Sequence, residues 1–260
     1  MAETPRLFKT EAIVLRHRPL AEADRIVVLL SPTHGKLEAK AKGVRRAKSR
    51  MGGHLQPLTR VLVQLAQGHV RYVVAGCQTL ESFPTLQADL ERLGMGLYAC
   101  ELADRFLPLG AEAYPAYGAL LDCLRWLERG VAPALALRRF EALLLRLSGF
   151  GPELDRCLAC GTRTQGGGGF SPQAGGVLCP SCAKAHSGSR PLSRGALEAL
   201  RLLQRGTAGQ VSRLRLAPTL ARELELHLRA YIAHLLEGDA HAAGFLDHLR
   251  RDPLAAVQEV

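Results

Sequence analysis

The sequence predicts an α+β fold of three parts: a small N-terminal β-barrel, a helical bundle, and a compact four-cysteine insert within the bundle. The first 80 of the 260 residues contain short runs in which apolar and polar residues alternate, as they do in β-strands. After Pro84 the apolar residues recur every three to four positions, as in amphipathic helices. We therefore predict a barrel over residues 1–82, a bundle over 83–156 and 183–260, and an insert over 157–182.

Five strands are predicted in the barrel region, separated by turn-forming proline, glycine and serine residues. They are Lys9–Arg18, Asp24–Leu30, Lys36–Lys42, Thr59–Ala66 and Val70–Thr79. Five short strands on a basic surface favour a closed barrel of the OB type, whose strand faces and loops bind oligonucleotides. An SH3-like barrel or a small sandwich fits the same pattern.

The third predicted strand begins the most basic segment of the chain. Its seven cations, against the single acid Glu38, are Lys36, Lys40, Lys42, Arg45, Arg46, Lys48 and Arg50. Apolar residues alternate with the charged ones as far as Lys42, so a strand would turn its lysines to one face. Gly43 ends the alternation, and a basic loop follows. These seven residues are the candidate nucleic-acid contacts.

Charge is concentrated at the N-terminal end of the chain. Residues 1–80 hold 14 lysines and arginines against five acids, an excess of nine, and the whole chain has a formal charge of +10. Such asymmetry favours a polyanionic partner, although a solvated charged face is the plainer alternative. Because aromatic residues make up only 5% of the chain, we expect binding through phosphates, with little sequence preference and strong salt dependence.

Beyond the barrel, helical periodicity defines the bundle. Leu86, Leu90, Leu93 and Leu97 lie at the spacing of one helix. Further helices are predicted at Tyr114–Arg129, Ala132–Leu147, Ser193–Gln204, Pro218–Leu236 and Ala240–Arg250.

Two Cys-x-x-Cys pairs, Cys157 with Cys160 and Cys179 with Cys182, are separated by 18 residues. This spacing is typical of a structural zinc site, in which four thiolates fill a tetrahedral ion and leave no open position for water. We therefore predict one structural Zn²⁺ without a hydrolytic role. Four incidental thiols or two disulfides are the alternative, and His186 is a possible substitute ligand.

The remaining cysteines and histidines suggest no second site. Cys77, Cys100 and Cys123 stand among apolar residues and are predicted to be buried thiols. His227, His234, His241 and His248 recur every seven residues, which is about 10.5 Å along a helix and too far for neighbours to share an ion. We interpret these four histidines as a mostly exposed stripe.

Motifs for phosphate loops, dinucleotide binding and metalloprotease chemistry are missing from the sequence, so it predicts no enzyme. It also contains no apolar run long enough to span a membrane and no signal-peptide pattern, so we expect a cytoplasmic protein with no membrane partner.

Nine segments of the chain form a recognisable set: Glu11–Leu15, Glu22–Val27, Gly35, Ala41–Arg46, Lys48–Arg50, His54–Pro57, Gly149–Gly161, Phe170–Ser171 and Gly175–Cys179. Together these segments resemble the RecO family of bacterial DNA repair proteins. The resemblance spans nearly the whole chain, in order.

The resemblance implies an N-terminal OB-fold, a helical domain, a zinc finger and no catalytic centre. It also implies a recombination mediator that binds single- and double-stranded DNA and anneals strands coated by single-strand-binding protein. The expected partners are RecR, single-strand-binding protein and, indirectly, RecA. Binding to chromosomal DNA would make the protein nucleoid-associated. A zinc-ribbon adaptor that binds RNA in the transcription or translation machinery is the main alternative, and a zinc enzyme is a weaker one.

Overall fold

A computed structural model describes residues 7–130 and 132–251, with side chains as far as Leu249 at the C-terminal end. The strands are β1 (Leu7–Pro19), β2 (Arg25–Ser31), β3 (Gly35–Ala41), β4 (Arg60–Ala66), β5 (Tyr72–Glu81), β6 (Gly168–Ser171), β7 (Gly176–Leu178) and β8 (Arg190–Leu192). The helices are α1 (Pro84–Ala88), α2 (Leu90–Phe106), α3 (Tyr114–Arg129), α4 (Pro133–Leu147), α5 (Pro180–Ala185), α6 (Arg194–Arg205), α7 (Ala208–Val211), α8 (Pro218–Leu235) and α9 (His241–Arg251).

These elements pack into two compact units. Residues 7–130 together with 241–251 belong to unit 1, and residues 132–240 belong to unit 2. Unit 1 thus combines the barrel with helices α1, α2, α3 and α9, whereas unit 2 contains the other helices and the cysteine insert. The division follows packing and differs from the sequence-derived domain boundaries, which remain a prediction.

The five N-terminal strands form a closed barrel in the order β1-β2-β3-β5-β4, with β1 also paired to β4. Neighbouring strands are antiparallel except β3 and β5, which run parallel where Ala39 meets Tyr72. A five-stranded barrel with a crossover before its last strand fits the OB type. All five predicted strands are present, with ends that differ by at most two residues.

The interior of the barrel is filled by alternate residues of its strands, as the period of two requires. Val14, Val27, Leu29, Val63 and other small aliphatic residues form this core, and each is fully or almost fully buried. Helices α2 and α3 lie against β1 and β2 on the outside. Residues on the outer face of those two strands are therefore apolar and buried too, including Ile13, Ile26 and Val28.

The leucine repeat from Leu86 to Leu97 forms two helices, so the prediction of one continuous helix was wrong. Asp89 separates them in an extended conformation, with φ −108° and ψ 113°. Its carboxylate accepts a hydrogen bond from the Arg92 N–H, at 3.1 Å, and caps the start of α2. The helix is interrupted at Asp89 because the Asp89 carboxylate, as N-cap, satisfies a backbone N–H that has no partner within the first turn of α2.

A network of charged side chains joins the barrel to α3 within unit 1. Arg60 on β4 lies 2.7 Å from Glu11 and 3.3 Å from Glu81, and donates to the Tyr117 hydroxyl at 3.1 Å. Arg125 on α3 bonds Glu81 at 2.8 Å. Hydrogen bonds from Arg125 are the main reason why the pKa of Glu81 lies below its usual 4.5.

Replacing Arg60 with leucine should lower the free energy of unfolding by about 1.5–3 kcal/mol, since the change leaves charged partners unsatisfied. The stabilisation by Glu81 should be fully present above pH 4.5 and lost as the pH falls through its lowered native pKa. Urea unfolding at pH 7 and at pH 3 measures both effects. Arg18→Leu, which removes an exposed arginine of β1, is the control and should change stability by less than about 0.5 kcal/mol.

Unit 2 is built from α4, α6 and α8, which pack on one another, and from a small antiparallel sheet in the order β7-β6-β8. Backbone bonds between Glu153 and the β7 region attach the chain entering the insert to this sheet: Val177 N donates to Glu153 O at 2.9 Å. Phe170 of β6 is buried against Tyr231 of α8, with ring centroids 5.8 Å apart. The insert is thus anchored on the helices of its own unit.

None of the helices within residues 7–130 and 132–251 is long and apolar enough to cross a bilayer.

Candidate nucleic-acid interface and metal centre

Strand β3 has the two faces that its alternating sequence predicts. Leu37, Ala39 and Ala41 are 5%, 0% and 0% exposed and belong to the barrel core. The charged residues between them, Lys36, Glu38 and Lys40, point to the outer face and are partly exposed. The alternation therefore sets the side of the barrel on which the strand's charges lie.

Two of the three lysines predicted as contacts within and just after β3 have acidic partners inside unit 1. Lys36 Nζ lies 3.2 Å from Asp104 Oδ1 and also bonds the Asp104 carbonyl, and its side chain is only 13% exposed. Lys40 Nζ lies 2.9 Å from Asp24 Oδ2. Because both amines are held by neighbouring groups, Lys36 and Lys40 are less available to an outside anion than the loop cations. Asp104 is shared between Lys36 and Arg16.

The loop after β3 is held to the barrel by apolar and backbone contacts. Val44 and Leu55, 3% and 0% exposed, belong to the barrel core, so both ends of the segment between them are fixed. Gly43, at φ 62°, donates its N–H to Asp24 Oδ1 at 2.8 Å. That bond is the main reason why the pKa of Asp24 lies below its usual value, with the Lys40 side chain adding to the effect.

Five of the seven predicted cations stand exposed on this anchored loop, which we call the basic loop. They are Lys42, Arg45, Arg46, Lys48 and Arg50. Arg45 reaches the Ala21 carbonyl at 3.3 Å, and none of the five forms an ion pair with an acid in the described residues. Lys42 lies near enough to Asp24 to help lower the pKa of that carboxyl, but five exposed cations within nine residues still give a surface that attracts polyanions. Their role in DNA contact remains a prediction.

The aromatic rings near the barrel pack against other side chains of the protein. Phe8 stacks on His34, with centroids 4.4 Å apart, and meets Tyr72 edge-to-face at 5.4 Å. Both Phe8 and Tyr72 pack on the barrel core, and Phe83 is 1% exposed. These positions agree with the expectation that phosphate contacts, more than base stacking, would carry nucleic-acid binding.

The four cysteines of the insert come together in unit 2. The sulfur atoms of Cys157, Cys160, Cys179 and Cys182 all lie within 4.8 Å of one another. The Cys160 and Cys179 sulfurs are 3.8 Å apart. Tetrahedral coordination at about 2.3 Å per Zn–S bond places sulfurs about 3.8 Å apart, so the cluster fits a single tetrahedral metal ion.

Local backbone geometry brings each pair to the cluster. Gly161, at φ 74°, donates its N–H to the Cys157 carbonyl at 2.8 Å and closes a tight turn around the first pair. The second pair straddles the start of α5, where Pro180 occupies the first turn. His186, by contrast, directs Nδ1 to the Ser187 carbonyl at 3.0 Å and lies outside the cluster.

The pKa values of the four thiols differ, as expected for ionisable groups that lie close together. Burial raises the pKa of Cys157, but backbone N–H donors from Cys179, Cys160 and Ala159 outweigh it and bring the pKa to about 6. Interactions with the Cys179, Cys160 and Cys157 thiols raise the pKa of Cys182 to about 12. A cation placed among the four sulfur atoms would favour the thiolate form of each, and a metal ion supplies that charge.

One arginine that the sequence did not single out holds the insert to α6. Arg201 donates to the Leu154 carbonyl at 2.6 and 3.1 Å and to the Thr164 carbonyl at 2.8 Å. These two carbonyls lie on either side of the first cysteine pair. Arg201 thus fixes both chain segments that lead into and out of that pair.

We expect Arg201→Leu to lower the free energy of unfolding of unit 2 by about 2–3 kcal/mol, because two carbonyls lose a charged donor. Arg205→Leu is a matched control one helical turn later. Arg205 is half-exposed and bonds Asp155 at 2.7 Å, so its loss should cost less than about 1 kcal/mol. Thermal unfolding of the metal-loaded protein compares the two variants, and equal destabilisation would contradict the role given to Arg201.

The isolated cysteines and the histidines were predicted with mixed success. Cys100 and Cys123 are buried as expected, while Cys77 is only partly buried. The histidine stripe was wrong at His227, which is 1% exposed and packs against Phe170, with ring centroids 5.3 Å apart. The other three histidines of the repeat are exposed. His227 and His234 belong to α8 of unit 2, whereas His241 and His248 belong to α9 of unit 1, so the four histidines do not share one helix face.

Comparisons with known proteins agree with the barrel and the cysteine cluster. Residues 1–83 match the model of the recombination protein O N-terminal domain, and residues 87–242 match that of its C-terminal domain. Three relatives named DNA repair protein RecO are similar over nearly their full length. The one from Roseiflexus sp. (strain RS-1) is 40% identical, with 95% of this chain and 87% of the relative covered.

The relative from Dehalococcoides mccartyi (strain CBDB1) is 39% identical, with coverage of 95% and 97%. That from Symbiobacterium thermophilum (strain DSM 24528 / JCM 14929 / IAM 14863 / T) is also 39% identical, with coverage of 94% and 98%. The matched domains account for both the OB-type barrel and the cysteine-bearing helical region. The chain belongs to the RecO family of DNA repair proteins.

Proposed function

We propose that this protein acts in DNA repair and homologous recombination as a mediator that binds single- and double-stranded DNA and anneals complementary strands coated by single-strand-binding protein. In this proposal it acts with RecR to load RecA. The proposal assigns binding and assembly to the protein and no catalytic step, and places its work on chromosomal DNA in the cytoplasm. Family membership supports the repair role, and the basic loop supports the DNA binding.

The observation that carries the proposal is the exposure of five cations, none of which forms an ion pair within the described residues, on a loop anchored to an OB-type barrel. Annealing requires two negatively charged strands to approach each other, and a cationic surface lowers their repulsion. Contacts to phosphates leave the base edges free to pair and accept any sequence. The basic loop therefore suits annealing better than sequence-specific recognition.

The four-cysteine cluster is proposed to bind one structural Zn²⁺. Cys157, Cys160, Cys179 and Cys182 supply the four ligands that fill a tetrahedral site, so the ion would hold the insert folded. This proposal predicts one zinc per chain in the purified protein.

The salt dependence of DNA affinity tests the phosphate-based mode of binding. Five loop cations that each neutralise one phosphate give a slope of log K against log salt of about −3.5 or steeper for a single strand. Fluorescence anisotropy of a labelled oligonucleotide, titrated between 50 and 300 mM salt, measures it. A slope near −1 would contradict the proposal, and a preference for duplex RNA over single-stranded DNA would favour the RNA-binding adaptor.

A further inference from the structure

A depression of about 710 Å³ lies beside the first cysteine pair of unit 2. Its lining comes from three chain segments: residues 155–156 before that pair, residues 163–165 after it, and the exposed face of α6. Four of the lining residues are arginines, namely Arg156, Arg163, Arg194 and Arg201. No residue of the basic loop contributes to it.

The two carboxylates of the depression already have cationic partners. Asp155 lies 2.7 Å from Arg205 and 3.2 Å from Arg201, and Glu198 lies 2.6 Å from Arg201. The four lining arginines and the neighbouring Arg205 make five guanidinium groups against two carboxylates, a formal excess of three positive charges.

The excess resides on Arg156, Arg163 and Arg194, which are all exposed. Arg156 reaches only the Gly161 carbonyl, at 3.4 Å, and in the described residues none of the three forms an ion pair. Arg156 and Arg163 are also directly opposite each other in an antiparallel bridge. Like charges placed opposite each other in this way are destabilising, so their pairing is a cost that an anion between them would remove.

We propose that this depression is a second DNA-binding surface, in which Arg156, Arg163 and Arg194 bind phosphates of a nucleic-acid strand. Guanidinium groups match phosphate geometry through paired hydrogen bonds and remain charged at every working pH. Three cations on separate segments of an open surface suit the repeated phosphates of a strand. This inference rests on the proposed function and extends it, because each unit then carries its own strand-binding surface.

The test compares the full-length wild type with the triple variant Arg156→Ala, Arg163→Ala, Arg194→Ala in oligonucleotide binding. Arg201 is left intact because it holds the insert to α6. Loss of three phosphate contacts should reduce the steepness of the log–log salt slope by about 2 and weaken affinity at least about tenfold at low salt. The matched control removes three exposed arginines of the same unit outside the depression: Arg146→Ala, Arg213→Ala, Arg215→Ala.

An unchanged salt slope in the depression variant, with wild-type binding intact, would overturn this inference alone. Absence of DNA binding by the wild type would overturn the proposed function as well. Equal losses in both triple variants would show a general charge effect and contradict a localised surface. If calorimetry showed that the depression variant loses only binding of inorganic pyrophosphate, the depression would be a small-anion site and the inference would be wrong. Thermal unfolding and zinc content confirm that each variant is folded.

Discussion

The double reversal Lys42→Glu, Arg46→Glu is expected to weaken single-stranded DNA binding by about 30-fold or more at 0.1 M salt. Both side chains are exposed on the basic loop and form no ion pair within the described residues, so each is available to neutralise a phosphate. Two lost contacts lower the steepness of the salt slope for a single strand by about 1.4, and the new carboxylates add repulsion. Fluorescence anisotropy over a salt series measures both quantities.

A matched control reverses one lysine and one arginine elsewhere in unit 1. Lys9 and Arg129 are both exposed, and Lys9→Glu, Arg129→Glu produces the same change in net charge. A general electrostatic effect would weaken both variants equally, which would contradict a binding surface on the basic loop. Lys36→Met, in contrast, should alter DNA affinity little, because that side chain is only 13% exposed and is held by Asp104.

Removal of the proposed Zn²⁺ is expected to unfold the insert of unit 2. Structural zinc sites of four thiolates contribute about 10–16 kcal/mol to the folding of small zinc-finger domains, far more than any single contact in this insert. Cys157→Ser, or treatment with a strong chelator, should therefore abolish zinc binding and lower the thermal stability of unit 2. Zinc quantification, circular dichroism and limited proteolysis of residues 157–182 report the change.

Binding through the basic loop should survive the loss of metal, because that loop belongs to unit 1. When both proteins are treated with the chelator, the Lys42→Glu, Arg46→Glu variant should again bind DNA about 30-fold more weakly than the wild type. If the charge reversal no longer weakened DNA binding after chelation, DNA binding by the basic loop would depend on the cysteine cluster. The prediction that the two sites are independent would then be wrong. Ser181→Ala, an exposed change between the second pair of cysteines, is the control and should retain zinc.

Patterns with a short range in sequence predicted the elements of this fold well. Alternation in residues 36–42 correctly gave strand β3 and its buried face, and helical periodicity gave Tyr114–Arg129 with the same bounds. The Cys-x-x-Cys pairs predicted the cluster because each pair fixes its own turn. In all these cases the determining residues are close together in the chain.

Features that depend on distant residues could not be predicted. The partner of Lys36 is Asp104, which lies on α2, 68 residues away in sequence. Glu101 of α2 accepts hydrogen bonds from the backbone of His241 and Ala242, both at 2.8 Å, and so caps α9. No periodicity encodes either contact. The burial of His227 likewise depends on Phe170, which belongs to the sheet of the insert.

The arginine-lined depression also depends on residues that are distant in sequence. Arg156, Arg163 and Arg194 are scattered in a region with little net charge, so composition alone gave no signal for them. The fold brings them together: an antiparallel bridge places Arg156 opposite Arg163, and α6 adds Arg194 to the same depression. A search for closely spaced arginines on both sides of a Cys-x-x-Cys pair would have found two of the three.

The most direct test of the proposed mediator role is annealing of two labelled complementary strands precoated with single-strand-binding protein. We expect the wild type to anneal them rapidly at low salt, Lys9→Glu, Arg129→Glu to retain that activity, and Lys42→Glu, Arg46→Glu to lose it while remaining folded. Failure of the wild type to anneal coated strands under these conditions would contradict the mediator role.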